Sequence, residues 1–329
     1  MSAALSLFSL RAGRPLAERI ASHLGVPLGA HEEREFEWGQ HKSRPLESVR
    51  GRDVYVVESL HGDPAQSVND KLCRLLFFLG ALRDAGAHRV TAVAPFLCYA
   101  RKDRQTQPRD PVITRYVASL FEAVGVDCVV TIEVHNLAAF QNAFRCRTEH
   151  LDGRRLFADF LAGRLGDRDL AVVSPDLGGI KRAEGYREAL SHRIGRDVSS
   201  GYLQKRRSEG VVSGGTVVGD LEGRTVLLVD DMISSGTTLA KAAAACRLAG
   251  AREVIATAAH GAFIPAASGA LAAAPIDRIT VLDHIPPSVL DPALVAERLW
   301  LVDSARFLAD AIGRLHAGGS ITELLNPRP

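Results

Sequence analysis

Short apolar runs alternate with longer amphipathic stretches along this chain, and the alternation predicts its elements. Strands are expected at Leu5–Leu10, Val54–Glu58, Val90–Pro95 and Cys128–Glu133, where apolar residues follow one another. Helices are expected between them at Pro15–Leu24, Asp70–Ala85 and Ile113–Val124, with a polar stretch at His31–Pro45 and a polar loop at Tyr99–Pro111. A second half begins near Leu151. Its helix Arg154–Leu165 leads to strands at Ala171–Ser174, Thr225–Val229, Val254–Ala258 and Ile279–Leu282, and a last helix covers Ser304–His316. Strands and helices in alternation predict an α/β class with a mainly parallel sheet. At 329 residues the chain accommodates two domains, placed at 1–150 and 151–329.

The two halves share a pattern. Ala81, Arg83, Ala85, Gly86, Ala87, Val90, Ala92 and Ala94 recur as Ala245, Arg247, Ala249, Gly250, Ala251, Val254, Ala256 and Ala258, at an offset of 164. Upstream, Gly51-Arg52-Asp53-Val54 echoes Gly223-Arg224-Thr225-Val226 at an offset of 172. One strand-helix-strand unit used twice explains both offsets, with the intervening segment eight residues shorter in the second copy. Chance is the alternative, because Ala and Gly are common here.

The chemistry concentrates in Thr225–Ala249. An apolar run stops at Asp230 and Asp231, passes through Ser234-Ser235-Gly236-Thr237-Thr238, and enters an alanine-rich helix. At the carboxyl end of a parallel strand, loop amides and a helix N-terminus suit a phosphate. Hydroxyls add donors, and Gly236 lets the backbone come close. Two acids cannot hold a phosphate directly, so they suit the hydroxyls of an attached sugar or a bridging metal. An ordinary helix cap accounts for the same residue types.

Other segments carry charge. Arg101, Lys102, Arg104 and Arg109 crowd one loop with Asp103 and Asp110, which suits a polyphosphate or, alternatively, internal ion pairs. His135 closes a strand, where it could bind a metal, act as a base or cap a helix. Asp176, followed by Gly178 and Gly179, fits a metal or phosphate-side ligand or a cap. Lys205-Arg206-Arg207 describes a mobile arm that closes over a negatively charged transition state, or a surface hairpin with a basic tip.

Composition narrows the classes. A hydrophobic share of 47% with 24% charged residues is that of a globular protein, and 40 basic against 38 acidic residues leave no footprint for nucleic acid or membrane. Any anion site must be local. Five scattered cysteines read as buried thiols in a reducing, cytoplasmic setting. Met1–Leu10 lacks a basic leader and is expected to be a strand, not a signal peptide.

In order along the chain, Ser67-Val68-Asn69-Asp70, Tyr99–Arg104, Pro108–Thr114, Glu133-Val134-His135, Ser174–Gly179, Lys205–Arg207, Asp230–Thr238 and Ser320–Leu325 resemble the ribose-phosphate diphosphokinases, also called phosphoribosyl pyrophosphate synthetases. The resemblance implies two tandem phosphoribosyltransferase-type domains and a homo-oligomer, dimer or hexamer. It implies magnesium-dependent transfer of the diphosphoryl group of ATP to the 1-hydroxyl of ribose 5-phosphate. By position, Asp230 and Asp231 would hold the ribose hydroxyls, and Ser234, Ser235, Gly236, Thr237 and Thr238 the 5-phosphate. Arg101, Asp103 and Arg104 fall on the ATP-side loop. His135 and Asp176 fall on magnesium positions, with His135 also at the reaction centre, and Lys205 and Arg207 fall on the catalytic arm. Phe36 would stack on adenine. The family's Phe-x-Asp-Gly-Glu reads Phe36-Glu37-Trp38-Gly39-Gln40 here, so both acids that would meet the base are replaced. Glu133 and Lys102 also depart, standing where the family usually has Asp and Gln.

Two other readings compete. A phosphoribosyltransferase that consumes the pyrophosphorylated sugar needs the same loop but no ATP-side cluster. A non-catalytic regulatory paralogue would have lost Lys205, Arg207, His135 or the loop acids, and all are present.

Overall fold

The structure, a computed structural model, describes residues 3–208 and 211–326, with side chains described outside 205–215. The chain packs into two units, each on its own sheet. The first takes the chain up to Asp152 and again from Ser304; the second takes Gly153–Asp303.

The first unit runs β1 (Leu5–Ser9), α1 (Arg14–Leu24), β2 (His31–Glu35), β3 (His41–Pro45), β4 (Asp53–Val57), α2 (Val68–Asp84), β5 (Arg89–Val93), α3 (Ile113–Ala123), β6 (Cys128–Ile132), α4 (Leu137–Ala143) and β7 (Arg147–Leu151). Its parallel sheet has the order β1-β4-β5-β6-β7. Every residue of β4 and β6 is buried, which is why these strands read as continuous apolar runs instead of alternating. The polar stretch 31–45 is an antiparallel hairpin of β2 and β3.

The second unit runs α5 (Arg154–Leu165), β8 (Leu170–Ser174), α6 (Ile180–Ile194), β9 (Ser199–Ser208), β10 (Val211–Val218), β11 (Thr225–Met232), α7 (Thr237–Leu248), β12 (Glu253–His260), α8 (Ala267–Ala273), β13 (Arg278–Leu282), α9 (Pro292–Arg298) and β14 (Leu299–Val302). Its sheet order is β10-β9-β8-β11-β12-β13-β14, parallel except for β10. Both units are therefore mainly parallel α/β sheets flanked by helices.

The duplication is visible at atomic scale. The order β1-β4-β5-β6-β7 recurs as β8-β11-β12-β13-β14, with a hairpin after α1 and again after α6. In the first unit Arg83 donates to the carbonyls of Ala87, His88 and Gly125 and to Asp127, whose Oδ2 also accepts the Val90 amide at 2.7 Å. In the second, Arg247 donates to the carbonyls of Ala251, Arg252 and Pro275 and to Asp277, whose Oδ2 accepts the Val254 amide, again at 2.7 Å. A coincidence of Ala and Gly does not reproduce one hydrogen-bond pattern twice.

One boundary differs from expectation. The last helices, α10 (Ala305–Ala317) and α11 (Ile321–Leu325), follow β14 in the chain but belong to the first unit, where α10 packs on α1. In the same way α5 follows β7 but packs on α6 in the second unit, with Phe157 against Tyr186 at 5.6 Å between ring centres. Each half thus sends its trailing helix to the other half's first helix. The second domain ends at Asp303 for packing reasons: α10 buries Phe307, Leu308, Ile312 and Leu315, and His316 Nδ1 lies 2.8 Å from buried Asp53.

Candidate functional site

At the end of β11 the chain forms the open loop its sequence predicts. Asp231 is 5% exposed and Asp230 half-buried. Burial, then the neighbouring Asp231 charge, pushes the Asp230 carboxyl well above the usual carboxylate range. The loop crosses to α7 through Gly236, whose φ of 76° is left-handed. A side chain there would also collide, since a Cβ would meet Leu271 Cδ2 at 2.6 Å. Gly236, the residue before α7, supplies no side-chain cap, and Ser235 Oγ lies 2.9 Å from Thr237 Oγ1 beside the first turn. The first-turn amides thus face the loop with hydroxyls at hand. Two backbone bonds brace it: the Ile233 amide donates to His260 O at 2.8 Å, and the Ile264 amide to Ser234 O at 3.3 Å.

The neighbouring strand β8 ends in Ser174-Pro175-Asp176. Asp176 Oδ1 accepts the Gly179 amide at 3.1 Å, and Ser174 Oγ donates to the Asp176 carbonyl at 2.6 Å. A Cβ on Gly179 would meet Ser174 Oγ at 2.6 Å, so this turn needs glycine. It delivers α6, whose third residue, Arg182, approaches Asp230 at 3.9 Å. The sequence reading missed Arg182; the available signal was its place one turn after the Asp-Leu-Gly-Gly turn. The arm segment is a hairpin in which β9 pairs with β10, Arg207 opposite Val212. The side chains of Lys205 and Arg207 lie outside the described residues.

The first unit closes the same position with its own atoms. Val57 corresponds to Val229, so Glu58 and Ser59 stand where Asp230 and Asp231 stand. Glu58 is 1% exposed, accepts the Gly13 amide at 3.1 Å, and has a carboxyl that burial pushes up to about 8. Lys71, also 1% exposed, reaches Asp63 at 2.6 Å and His61 Nε2 at 3.3 Å. Burial, with help from Lys71, drops His61 to about 4. Ser67 and Asp70 then cap α2 reciprocally: the Asp70 amide donates to Ser67 Oγ at 3.2 Å and the Ser67 amide to Asp70 Oδ2 at 2.8 Å.

The residues expected on the nucleotide side all lie in the first unit. Arg101 and Arg104 are exposed, and Asp103 Oδ2 accepts a hydrogen bond from Asn136 at 2.9 Å, beside exposed His135. Tyr99 donates to Asn69, and Thr114 donates to the Tyr99 and Lys102 carbonyls. Phe36 is 47% exposed and Trp38 97% exposed at the tip of the β2–β3 hairpin. The non-glycine residues with positive φ among the described residues are Trp38, Tyr99, Arg109 and Glu133, all on these segments. Strain of that kind collects where function fixes the backbone.

Among the described residues no group of three or more His, Cys, Asp or Glu could hold a metal. Asp176, half-buried at the end of β8, carries the carboxylate oxygens of the kind magnesium takes. Among the described residues no helix is long and apolar enough to cross a membrane.

Two mainly parallel sheets related by duplication, one of them with a glycine- and hydroxyl-rich loop that follows two acids, define the class as a tandem phosphoribosyltransferase-type protein. A family model described as the N-terminal domain of ribose phosphate pyrophosphokinase matches residues 5–125, and one described as the phosphoribosyl synthetase-associated domain matches residues 208–326. Ribose-phosphate pyrophosphokinase 1 of Streptococcus pneumoniae is 34% identical over 326 residues, covering 98% of this chain and 97% of its own. The ribose-phosphate pyrophosphokinase of Granulibacter bethesdensis is 35% identical over 323 residues, covering 98% and 100%. The crystal structure of phosphoribosylpyrophosphate synthetase from Mycobacterium smegmatis superposes with a TM-score of 0.85 at 33% identity, covering 96% of this chain and all of that one. The chain belongs to the ribose-phosphate pyrophosphokinase family, enzymes of phosphoribosyl pyrophosphate synthesis.

Proposed function

We propose that the chain transfers the diphosphoryl group of ATP to the 1-hydroxyl of ribose 5-phosphate. The hydroxyl oxygen bonds to the β-phosphorus and the bond from that phosphorus to the α,β-bridging oxygen breaks. AMP leaves with the electron pair, and the hydroxyl proton is released. The observation that carries this reading is the glycine-led, hydroxyl-lined loop before α7 beside Asp230 and Asp231, a site for a phosphate joined to hydroxyls.

Ser234, Ser235, Gly236, Thr237 and Thr238 hold the 5-phosphate, and the two aspartates hold ribose hydroxyls. Arg101, Asp103 and Arg104 receive the ATP phosphates, Phe36 stacks on the base, and Lys205 and Arg207 neutralise the transferred group. Such transfers depend on positioning and charge stabilisation, and need no covalent intermediate on the protein. Asp176 and His135 would each serve as a magnesium position, and magnesium would neutralise phosphate charge when bound. Phe36 and Trp38, exposed on a hairpin tip, suit a nucleotide site completed between copies in a dimer or hexamer. With Trp38 and Gln40 in place of acids, base recognition shifts from hydrogen bonding toward stacking.

Incubation with ribose 5-phosphate, magnesium and each of ATP, GTP and CTP tests the reading. Nucleoside monophosphate together with 1-pyrophosphorylated sugar is expected; nucleoside diphosphate would make the chain an ordinary kinase. Lys205→Ala is expected to abolish turnover while sparing ribose 5-phosphate binding, and near-normal kcat would remove Lys205 from its role.

A further inference from the structure

Arg182 has no function assigned above, yet its surroundings are unusual. The side chain is 16% exposed, and its Nε is fully buried without a hydrogen-bond partner. Its ion-pair neighbour is Asp230, and at 3.9 Å that contact is too long for a hydrogen bond. A largely buried guanidinium whose donors find no acceptor among the described residues is costly, and such groups call for a partner that arrives from outside.

The sheet says what that partner is. In the order β8-β11-β12, α7 and its loop follow β11, while α6 packs over β8, β9 and β11. On the proposed reading Asp230 holds the ribose hydroxyls, so the guanidinium 3.9 Å from it stands beside the sugar and within reach of the group transferred to it.

We propose that Arg182 binds oxygens of the diphosphoryl group as it passes to the 1-hydroxyl, an inference that rests on the transfer reaction proposed above. The guanidinium fork pairs with two phosphate oxygens and stays charged throughout. Before substrate arrives, Asp230 balances its charge without satisfying its donors. Once the β-phosphorus carries the sugar oxygen, the same fork holds the product's new anionic group.

Arg182→Met keeps the bulk and removes the charge, and Arg182→Lys keeps a point charge and removes the fork. Each is measured by steady-state kinetics and by calorimetry with ribose 5-phosphate and with phosphoribosyl pyrophosphate in magnesium, alongside melting temperature. Arg182→Met is expected to lower kcat at least ~100-fold, the loss typical of one preorganised donor. It should weaken phosphoribosyl pyrophosphate at least ~10-fold while ribose 5-phosphate affinity stays within about threefold, and Arg182→Lys should lose about tenfold in kcat. Equal loss of both ligands by Arg182→Met would overturn the proposal, because the guanidinium would then act only through Asp230. If that variant does not fold, Arg182→Lys at wild-type kcat and product affinity would overturn it. A wild-type protein that binds neither ligand would overturn the underlying transfer reaction itself.

Discussion

The ends of β4 and β11 are the same place in two copies of one unit, and they have been finished in opposite ways. After β11 the chain turns through a left-handed glycine and leaves the α7 amides without a side-chain cap from that residue. After β4 it makes a longer loop, caps α2 with its own Ser67 and Asp70, and buries Lys71 against Asp63. A phosphate needs donors and positive charge; the first unit supplies its own carboxylate to such groups, and the second leaves them for a ligand. The comparison teaches that one backbone frame, used twice, meets its electrostatic demand from within in the first unit and, on the proposed reading, from a ligand in the second.

The strongest way to break the comparison is to remove the internal cation. Lys71→Ala leaves Asp63 without its partner and is expected to destabilise the protein by about 3–5 kcal/mol, read by chemical denaturation. Affinity for ribose 5-phosphate should be untouched in the fraction that remains folded. In the open copy, Gly236→Ala adds a Cβ against Leu271 at a left-handed φ. Ribose 5-phosphate affinity is expected to fall roughly 100-fold, and unchanged calorimetry would mean that the loop does not hold the phosphate.

Glu58 sharpens the picture through pH. Its folded carboxyl titrates near 8 because it is buried, far above the usual value of 4.5. Stability from the protonated form is full below the unfolded value and is lost as pH rises toward 8. His61, depressed to about 4, changes stability only below its usual value of 6.5, so the window from 6.5 to 8 reports on Glu58 alone among this pair. Glu58→Gln is expected to flatten the decline in that window and to gain ~2 kcal/mol at pH 8. A wild-type melting temperature that does not fall there would refute the buried, protonated carboxyl. The smallest effect belongs to the cap: Ser67→Ala should cost about 1 kcal/mol, with no change in kinetics.

Much of this was legible in the residues. Buried parallel strands leave apolar runs, and β11, its acids, its loop and α7 fall where the pattern places them. The repeated Ala, Gly and Arg positions proved to be one hydrogen-bond pattern used twice. The β2–β3 hairpin was not legible, because His-Glu-Glu-Arg-Glu shows no apolar alternation. Its cross-strand register is reinforced by charge instead, with Glu32 paired to Arg44, directly opposite on β3, at 2.6 Å. Lys71 was equally hidden, since a lysine in a helix normally faces water. Arg182 drew no reading from its sequence until the fold set it beside Asp230. The partner of α10 could not be read from its sequence, because an amphipathic face says that something covers it, not what.

The exchange of trailing helices also bears on how the protein is made. The first unit has nearly all its chain once Asp152 leaves the ribosome, but the helix that covers α1 starts only at Ala305. At roughly 5–20 residues per second that gap lasts about 10–30 s. During that time Leu16, Ala17, Ile20 and Ala21 of α1 have no α10 to cover them. A nascent chain in this state is a natural client for a chaperone, and a message cut short before Ser304 yields a product with that face still bare. Emergence of α10 thus becomes the step at which the first unit can close, after the whole of the second has been made.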